Sequence, residues 1–539
     1  MRQTFLQGTL ILLVAGVVSR LLGFVPRIVL PRWIGAEGIG LYQMGYPAML
    51  VLMTLLSGGL PLAVAKMTAE AQAGEDKRVF HYAMWMTMAF GGVLVLGAIA
   101  LAPWIVATLF PDERVRPVFL MMCPIVLVIG IASIYRGYYQ GKHDMMPTAV
   151  SQVVESVIRS VAILGLAMYL LPRGIEYAAA GAMAGVLCGE IAGLLILMNW
   201  RSQADPSPMK AVSSPQSEGV PAHAKMKADS SPQSEVVTEH AKMKADSSLA
   251  GRRATVSTLL KLSLPVTGSR LIGSFSHWLE SLVIVRSLAV AGVSVGAATA
   301  QYGLLAGMVI PTLLMPGAIT FSLAVSLVPA LAEAAARGDH ATIRKRMGQS
   351  IRVSLITGGP FAVVMFVLAE PLCRLLYANV EAAPMLQLMS VVSLFLYVQT
   401  PLQSALQALD RPMSALLNSL AGAIVKLTLI YYLITRLSLG ITGAAIAISV
   451  YITFVTILHW RSVASITQLK FPLADLLKLT FGIGAMGITC HTAYQLTPFN
   501  ELFRFLTSIT SGTVVFFIIM LATKMLDRND ITRFFPSRR

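Results

Sequence analysis

Two arginines lie in the first hydrophobic stretch of the chain, where a lipid bilayer would normally exclude charge. Arg20 and Arg27 belong to the stretch 19–43, which reads SRLLGFVPRIVLPRWIGAEGIGLYQ. Inserting a charged side chain into hydrocarbon costs about 2.5–3.5 kcal/mol, so such residues usually face a bundle interior or a wet cavity. Their spacing is close to two helical turns, so both guanidinium groups can point the same way. The pattern predicts the wall of a cavity that binds an anion.

Pro26 lies between these two arginines. Proline has no backbone N–H, so it cannot complete the helical hydrogen bond to the carbonyl four residues earlier. We therefore expect the helix either to bend at Pro26 or to leave one backbone carbonyl free for another partner.

An equivalent arginine occurs in the second half of the chain. SRLLGF at 19–24 is echoed by SRLIGSF at 269–275, so Arg270 takes the place of Arg20. The guanidinium fork suits oxyanion geometry, and a pair facing one cavity would clamp a phosphate or diphosphate. The alternative is that each arginine snorkels or caps a backbone carbonyl. Arg27 is predicted nearer the outer interface, where snorkelling is easy, and is a secondary substrate-binding candidate.

Further ionisable residues fall inside apolar runs. Glu155 and Arg159 are four residues apart with the acid on the N-terminal side, which is the geometry of an intrahelical ion pair. We predict that this ion pair is structural, because it lowers the cost of burying both charges. Lys426 has a similar position in the second half without an acidic neighbour, so we expect it to face the cavity and bind substrate.

Glu280 follows His277 by three residues, which puts both on one face of a helix. Two metal ligands without a third make a weak site, so no metal is predicted. We interpret Glu280 as a carboxylate that binds a coupling cation or partners Arg270 at the substrate cavity. The sequence has no GxSxG elbow, P-loop or HExxH, so we expect neither a catalytic site nor a cofactor.

The elements that must position these residues are membrane helices. Of the 539 residues, 56% are hydrophobic and 13% charged, against about 25% charged residues in soluble domains. Apolar runs of about 20 residues predict an all-α polytopic membrane protein with fourteen transmembrane helices. The predicted helices lie near 6–30, 44–66, 82–104, 117–139, 147–170, 177–200, 257–285, 301–329, 348–369, 385–408, 413–435, 440–462, 474–496 and 503–525. Glycine and proline predict breaks in the second and eighth helices, at Gly58, Gly59, Pro61, Pro311, Pro316 and Gly317.

The net charge of +16 reflects topology rather than nucleic-acid binding, because the basic residues lie in short loops between apolar runs. Their distribution predicts that both termini are cytoplasmic. The N-terminal run has no clear cleavage site and is interpreted as an uncleaved first helix. The four cysteines are isolated and form no CxxC pair, so neither a disulfide framework nor a metal site is predicted.

A polar segment at 201–253 divides the chain. It contains a tandem duplication, in which SSPQSE and HAKMKADSS each occur twice, and its composition predicts a disordered cytoplasmic linker. The flanking halves resemble each other, so we predict an N-lobe at 1–200 and a C-lobe at 254–465. Each lobe would hold six helices, related by a pseudo-twofold axis along the membrane normal. Two extra C-terminal helices and a basic tail occupy 466–539.

The N-terminal run, and above all IGAEGIGLYQ at 34–43, resembles the stage V sporulation protein B family of the multidrug/oligosaccharidyl-lipid/polysaccharide exporter superfamily. SLAVSLVPALAE at 322–333 fits as well. The resemblance implies two lobes around a central cavity, alternating access, and a lipid-linked cell-wall precursor as substrate, with lipid II the leading candidate. It also implies that Arg20 and Arg270 hold the diphosphate. The lipid II flippase branch carries further charges in the second helix, whereas 43–65 here contains none.

Three functions remain open from the sequence. The preferred one is a flippase in the bacterial cell membrane, a secondary transporter acting as a monomer in peptidoglycan or spore cortex synthesis. Its partners would be the lipid-linked oligosaccharide, membrane lipid and a coupling cation, with no nucleic acid. A multidrug/cation antiporter would need an acidic cavity, whereas the first helix carries two arginines and no acid before Glu37. A non-transporting scaffold for cell-wall assembly would tolerate charge reversal at Arg20 and Arg270.

Overall fold

The computed structural model describes residues 5–71, 75–204, 233–469 and 473–525. These residues form α-helices joined by short 3-10 and π-helical turns, and no β-strand occurs among them. Within hydrocarbon, a helix satisfies its backbone hydrogen bonds internally, so long apolar runs fold this way. The predicted all-α class is confirmed.

Seven helices precede the duplicated segment. They are α1 (Phe5–Ser57), α2 (Leu60–Glu70), α3 (Glu75–Ala100), α4 (Ala102–Leu109), α5 (Arg116–Gly141), α6 (Met146–Leu170) and α7 (Ile175–Ala204). Twelve more follow. They are α8 (Gln233–Val290), α9 (Val295–Gly303), α10 (Ile310–Leu314), α11 (Gly317–Ala336), α12 (His340–Val367), α13 (Ala369–Tyr377), α14 (Ala383–Ser390), α15 (Ser393–Ala408), α16 (Pro412–Thr435), α17 (Gly440–Thr467), α18 (Leu473–Leu496) and α19 (Glu501–Ala522).

The predicted number of fourteen transmembrane helices is not reached when helices are counted by length and composition. Eleven of the described helical stretches are long and apolar enough to cross a membrane, or twelve if α14 and α15, bent by 54°, form one span. Val14–Glu70 counts as one stretch in this number. At about 1.5 Å per residue, its 57 residues are much longer than the hydrocarbon core, which is about 30 Å thick. The number fourteen therefore stays a prediction.

The first helix breaks at a glycine and not at a proline. α1 continues through Pro26, and its non-helical residue is Gly35, with φ 68° and ψ −177°. This backbone conformation is essentially confined to glycine. The helix is therefore not interrupted at Pro26, and the predicted helices 6–30 and 44–66 meet at Gly35 without the expected loop.

The breaks predicted from glycine and proline in the second and eighth helices are confirmed. α1 ends at Ser57, and α2 begins at Leu60 after Gly58 and Gly59. In the second half, a π-helical turn at Leu304–Val309 leads into α10, and the helix is interrupted again before Gly317. Proline and glycine remove or weaken backbone hydrogen bonds at these points, which interrupts the helix.

The linker prediction is corrected for part of its length. α8 begins at Gln233, so 233–253 is helical and continues into the predicted seventh transmembrane helix. Ala, Lys, Glu and Met, which favour helices, are frequent there, and no proline or glycine occurs between 233 and 250. Residues 205–232, with the first copy of the duplication, lie outside the described residues.

The two halves of the chain meet along α1. Helices α5, α6 and α7 pack with one another and against α1, while α16 packs against α17, and α18 against α19 and α12. α1 also contacts α8 and α9 of the second half. The lobe boundaries and the pseudo-twofold axis stay predictions.

Candidate functional site

A cavity of about 540 Å³ lies between α1, α5, α6, α7 and the broken segment 306–314. Most of its wall is apolar, which suits a site within the membrane. Four charged side chains line it: Arg27, Arg136, Arg159 and Glu190. Tyr42, Gln43 and Tyr46 of α1 add polar groups. Positive charge therefore predominates among the ionisable groups in the wall of this cavity.

Glu155 connects two of these arginines. Arg136 Nη2 of α5 donates to Glu155 Oε2 at 2.6 Å, and Arg159 Nη1 donates to Glu155 Oε1 at 2.7 Å. The Glu155 side chain is only 9% exposed. A buried carboxylate that accepts two charge-assisted hydrogen bonds fixes both guanidinium groups. The ion pair between Glu155 and Arg159 has the geometry predicted from their spacing, and Arg136 joins it from a second helix.

Glu190 approaches the same group from α7. Its Oε1 lies 3.7 Å from Arg159 Nη1, and its Oε2 is buried and accepts no hydrogen bond from the described residues. The separation from Arg159 exceeds hydrogen-bond distance, so the carboxylate is attracted but not saturated with donors. Glu190, for which the sequence predicted no role, is the incompletely bonded member of the cluster.

A stripe of glycines allows α6 and α7 to bring these groups together. On α7, glycines recur every fourth residue at Gly181, Gly185, Gly189 and Gly193. A Cβ atom on Gly189 would lie 2.4 Å from Arg159 Cβ, and one on Gly193 would lie 3.2 Å from Glu155 Cβ. Small residues at such spacing permit close approach of membrane helices. This stripe was available in the sequence as a signal for the site.

Pro26 fixes α1 against α6. Because it has no N–H, the carbonyl of Leu22 lacks its usual helical donor. Ser160 Oγ lies 3.1 Å from that oxygen and shares its one proton between it and the Ser156 carbonyl at 2.8 Å. Ser19, nearly two turns before Pro26 on α1, donates through Oγ to the Gln152 carbonyl of α6 at 3.2 Å. These contacts hold the segment of α1 that carries Arg27 against the arginine cluster. The free carbonyl predicted at Pro26 is therefore confirmed.

Arg27 faces the cavity without a salt-bridge partner among the described residues. Its guanidinium carbon lies 5.8 Å from the centre of the Phe24 ring. No carboxylate or carbonyl of the described chain accepts a hydrogen bond from it, so its charge is available to a ligand. Together with Arg136 and Arg159, Arg27 gives the cavity three guanidinium groups from three helices.

The two arginines ranked first by sequence are not among the residues that line this cavity. Arg20 is exposed and lies two turns before Arg27 on α1, about 10 Å along the helix axis. Arg270 Nη1 donates to the carbonyl of Gly58 at 2.7 Å, where α8 meets the break between α1 and α2. The structure thus brings Arg27, rather than Arg20 or Arg270, to the Glu155–Arg159 pair.

Glu280 and Lys426 form a separate buried ion pair in the second half. Lys426 Nζ donates to Glu280 Oε2 at 2.6 Å, and the two side chains are 4% and 12% exposed. The ammonium also lies 4.6 Å from the Tyr451 ring centre, and His277 Nδ1 lies 3.6 Å from Glu280. Arg270 precedes Glu280 by ten residues on α8, about 15 Å along the axis. Glu280 thus pairs with Lys426, and its predicted role at the substrate cavity, as a ligand of a coupling cation or a partner of Arg270, stays a prediction.

Arg136 was not predicted as a site residue from the sequence. It lies near the end of the predicted helix 117–139, where an arginine ordinarily snorkels to the interface, so its position alone did not mark it. Its partner Glu155 is nineteen residues away on another helix, a distance that no local spacing rule covers.

Among the described residues, no group of three or more His, Cys, Asp or Glu side chains could hold a metal ion.

Hydrogen bonds join the two halves on both sides of the cavity along α1. On one side, Gln43 Nε2 donates to the Ala306 carbonyl at 3.0 Å, and Thr299 Oγ1 donates to Asp112 Oδ2 at 2.9 Å. On the other side, Thr54 Oγ1 and Ser274 Oγ lie 2.8 Å apart. The cavity lies between these two sets of contacts.

Asp112 is the most heavily bonded acid of this interface. Arg114 donates to it through Nε at 3.0 Å and Nη2 at 2.8 Å, and also forms an ion pair with Glu37 at 2.7 Å. Burial of Asp112 favours its neutral form, but the hydrogen bonds from Arg114 and Thr299 outweigh burial and lower the pKa of Asp112 below its ordinary value. The carboxylate therefore stays ionised and holds the two halves together.

Sequence and structure comparisons agree with this architecture. Residues 5–229 match the family described as Polysaccharide biosynthesis protein, and residues 287–432 match the family described as MatE. The solved structure of Lipid II flippase MurJ in an inward closed conformation superposes with a TM-score of 0.66 at 14% identity, covering 97% of this chain and 99% of that one. The fold is thus that of the MurJ-type membrane transporters.

Two curated relatives come from Bacillus subtilis (strain 168). Stage V sporulation protein B is 36% identical over 539 residues, which cover 99% of this chain and 98% of that protein. Lipid II flippase MurJ is 30% identical over 214 residues, which cover 36% of this chain and 39% of that protein. The chain belongs to the stage V sporulation protein B family. Its relatives and its fold are those of transporters, not of enzymes.

Proposed function

We propose that this chain is a flippase that moves an undecaprenyl-diphosphate-linked cell-wall precursor from the inner to the outer leaflet by alternating access. The observation that carries the proposal is the convergence of Arg27, Arg136 and Arg159 on one membrane cavity. Guanidinium groups bind phosphate oxygens in bidentate geometry, and a diphosphate offers enough oxygens for several of them. The lipid tail stays in the bilayer while the head group occupies the cavity.

Lipid II is the preferred substrate, because a relative named for lipid II flipping aligns over 36% of this chain. The name of the more extensively aligned relative supports a role in sporulation, in synthesis of the spore cortex. The protein acts as a monomer in the bacterial plasma membrane with both termini in the cytoplasm. A membrane potential that is negative inside favours outward movement of the anion by about 2.3 kcal/mol per charge per 100 mV.

Arg20 and Arg270 contact the anion before it reaches the cavity. Arg20 is exposed on the same helix as Arg27, and Arg270 holds the carbonyl of Gly58 where the two halves touch. Opening the halves at that contact would free the Arg270 guanidinium for a phosphate. Lys426 and Glu280 neutralise each other, so we assign them to the packing of the second half rather than to the anion.

A reconstituted system tests the proposal. Proteoliposomes that contain the full-length protein should move undecaprenyl-diphosphate-linked N-acetylglucosamine between leaflets, scored by access of an externally added glycosyltransferase. Arg136→Gln and Arg159→Gln should each lower the initial rate at least tenfold, because a lost charge-assisted contact is worth about 1.5–3 kcal/mol. Arg173→Gln, at an exposed arginine outside the cavity, is the matched control. Equal rates in all four proteins would contradict the proposal.

A further inference from the structure

Glu190 has no task in simple anion binding, yet its carboxylate lines the arginine cavity. We propose that Glu190 takes up a proton when the anion binds, so that binding of a diphosphate in this cavity is linked to proton uptake. This inference rests on the proposed function, because it concerns the same cavity and the same class of ligand.

The bonding of Glu190 supports a titrating role. Its side chain is 8% exposed, its Oε2 accepts no hydrogen bond from the described residues, and its Oε1 lies 3.7 Å from Arg159. An ionised carboxylate in an apolar setting is costly unless donors surround it. Glu155, by contrast, accepts hydrogen bonds from two arginines, which stabilise its ionised form. Glu190 is therefore the carboxylate of this cluster whose charge is least compensated by hydrogen-bond donors.

Charged groups on three other helices surround Glu190. Arg159 and Glu155 face it from α6, Arg136 from α5 and Arg27 from α1. When the cavity is empty, Arg159 attracts Glu190 and favours its ionised form. A bound anion that engages Arg159 adds negative charge beside Glu190 and draws away its nearest cation. Both changes favour the protonated form of Glu190.

The charge balance of the cavity leads to the same conclusion. Three arginines with both carboxylates ionised leave a single positive charge. A diphosphate esterified at both ends carries one negative charge on each phosphate, so one more positive charge is needed for neutrality. Protonation of Glu190 removes one negative charge, so the cavity carries two positive charges and matches the diphosphate without moving any other group. In a low-dielectric site this match matters, because an uncompensated charge there is expensive.

The pH dependence of binding tests this inference. The probe is radiolabelled undecaprenyl-diphosphate-linked N-acetylglucosamine, whose phosphates are both esterified and do not titrate between pH 6 and 9. For the full-length protein in detergent micelles, the dissociation constant should rise about tenfold for each pH unit in the range where Glu190 is ionised in the free protein and protonated in the complex. Glu190→Gln, which mimics the protonated carboxyl, should bind tightly with no such dependence.

Two further variants make the outcome specific. Glu190→Asp keeps a titrating group and should keep the pH dependence, and Glu176→Gln, on the same helix outside the cavity wall, should behave like the wild type. A pH slope that persists in Glu190→Gln, or a wild-type protein that binds the probe without any slope, would overturn the inference and leave the proposed function standing. A probe that fails to bind the wild type at every pH would contradict the proposed function itself.

Discussion

Each of the two buried charge groups combines a carboxylate with basic side chains, but their net charges differ. In the first half, Glu155 accepts from Arg136 and Arg159, and Arg27 adds a third guanidinium without a carboxylate partner among the described residues. In the second half, Lys426 and Glu280 match one to one. An excess of positive charge attracts an anion, whereas a matched pair attracts neither sign strongly. The first group therefore suits ligand binding, and the second suits cohesion between helices.

Lys426→Met should destabilise the protein strongly. It leaves Glu280 buried without its ammonium partner, and breaking a buried ion pair in this way typically costs about 3–5 kcal/mol. The measurement is thermal unfolding of the purified protein in detergent, with Tm expected to fall by several degrees. The double variant Lys426→Met/Glu280→Gln removes both charges and should recover most of the loss. A double variant as unstable as the single one would show that the charges do not interact.

Acid should weaken the contact between the halves through Asp112. Because its pKa is lowered in the folded protein, the ionised carboxylate contributes stability above the ordinary pKa of about 3.9, and that contribution is lost as the pH falls through the lower folded value. Between pH 5 and pH 3, Tm should therefore fall more steeply for the wild type than for Asp112→Asn. Parallel curves would contradict the assignment. Glu381→Gln, at an exposed acid that takes no part in this contact, is the control.

At the scale of elements, the approach of α6 to α7 sets the geometry of the site. Gly189→Ala should disturb it, because the added Cβ would lie 2.4 Å from Arg159 Cβ and force the helices apart. Overpacking of this kind typically costs about 1–3 kcal/mol. We expect a lower Tm together with weaker anion binding. Gly165→Ala on α6, where an added Cβ meets nothing within 4 Å, should change neither quantity. Unaltered binding in Gly189→Ala would contradict the role given to the stripe.

The sequence predicted elements well where the signal is local. Apolar runs identified the long helices, and glycine with proline identified the breaks near Gly58 and Pro316. The spacing of Glu155 and Arg159 predicted their ion pair, since both lie on one helix. Gly35 was not chosen as the break in α1, because its effect depends on its backbone conformation rather than on its neighbours in sequence. The helical start of α8 was missed because polar composition outweighed helix propensity.

Contacts between distant segments were not predictable from local spacing. Arg136 and Glu155 belong to different helices, and Lys426 and Glu280 are 146 residues apart. The internal repeat predicted Arg20 and Arg270 as site residues, because they occupy equivalent positions in the two halves. Repeat symmetry locates corresponding residues, but it does not decide which of them faces the cavity. That depends on the rotation of α1 against α6, fixed here by Ser160 and the Leu22 carbonyl.

At the scale of the molecule, the two halves enclose the cavity with hydrogen bonds on both sides of it. Gln43, Asp112 and Thr299 take part on one side, and Thr54, Ser274 and Arg270 on the other. Alternating access requires that one set breaks while the other stays intact. Each hydrogen bond is worth about 1 kcal/mol. Buried apolar residues of α1 and of the segment 298–313 also pack into one core, so opening either side must separate apolar surface as well. The arginine cluster lies within the first half, so it is preserved in both openings.

We propose that this protein exposes a lipid-linked diphosphate at the outer leaflet by holding it on the cluster of Arg27, Arg136 and Arg159. The most direct test is the accessibility of lipid II at the outer surface of cells depleted of their other flippases. Wild-type protein should restore accessibility, and Arg159→Glu should abolish it while reaching the membrane in equal amount. Unchanged accessibility when the wild type is expressed would contradict lipid II as the substrate, and full activity of Arg159→Glu would contradict the site.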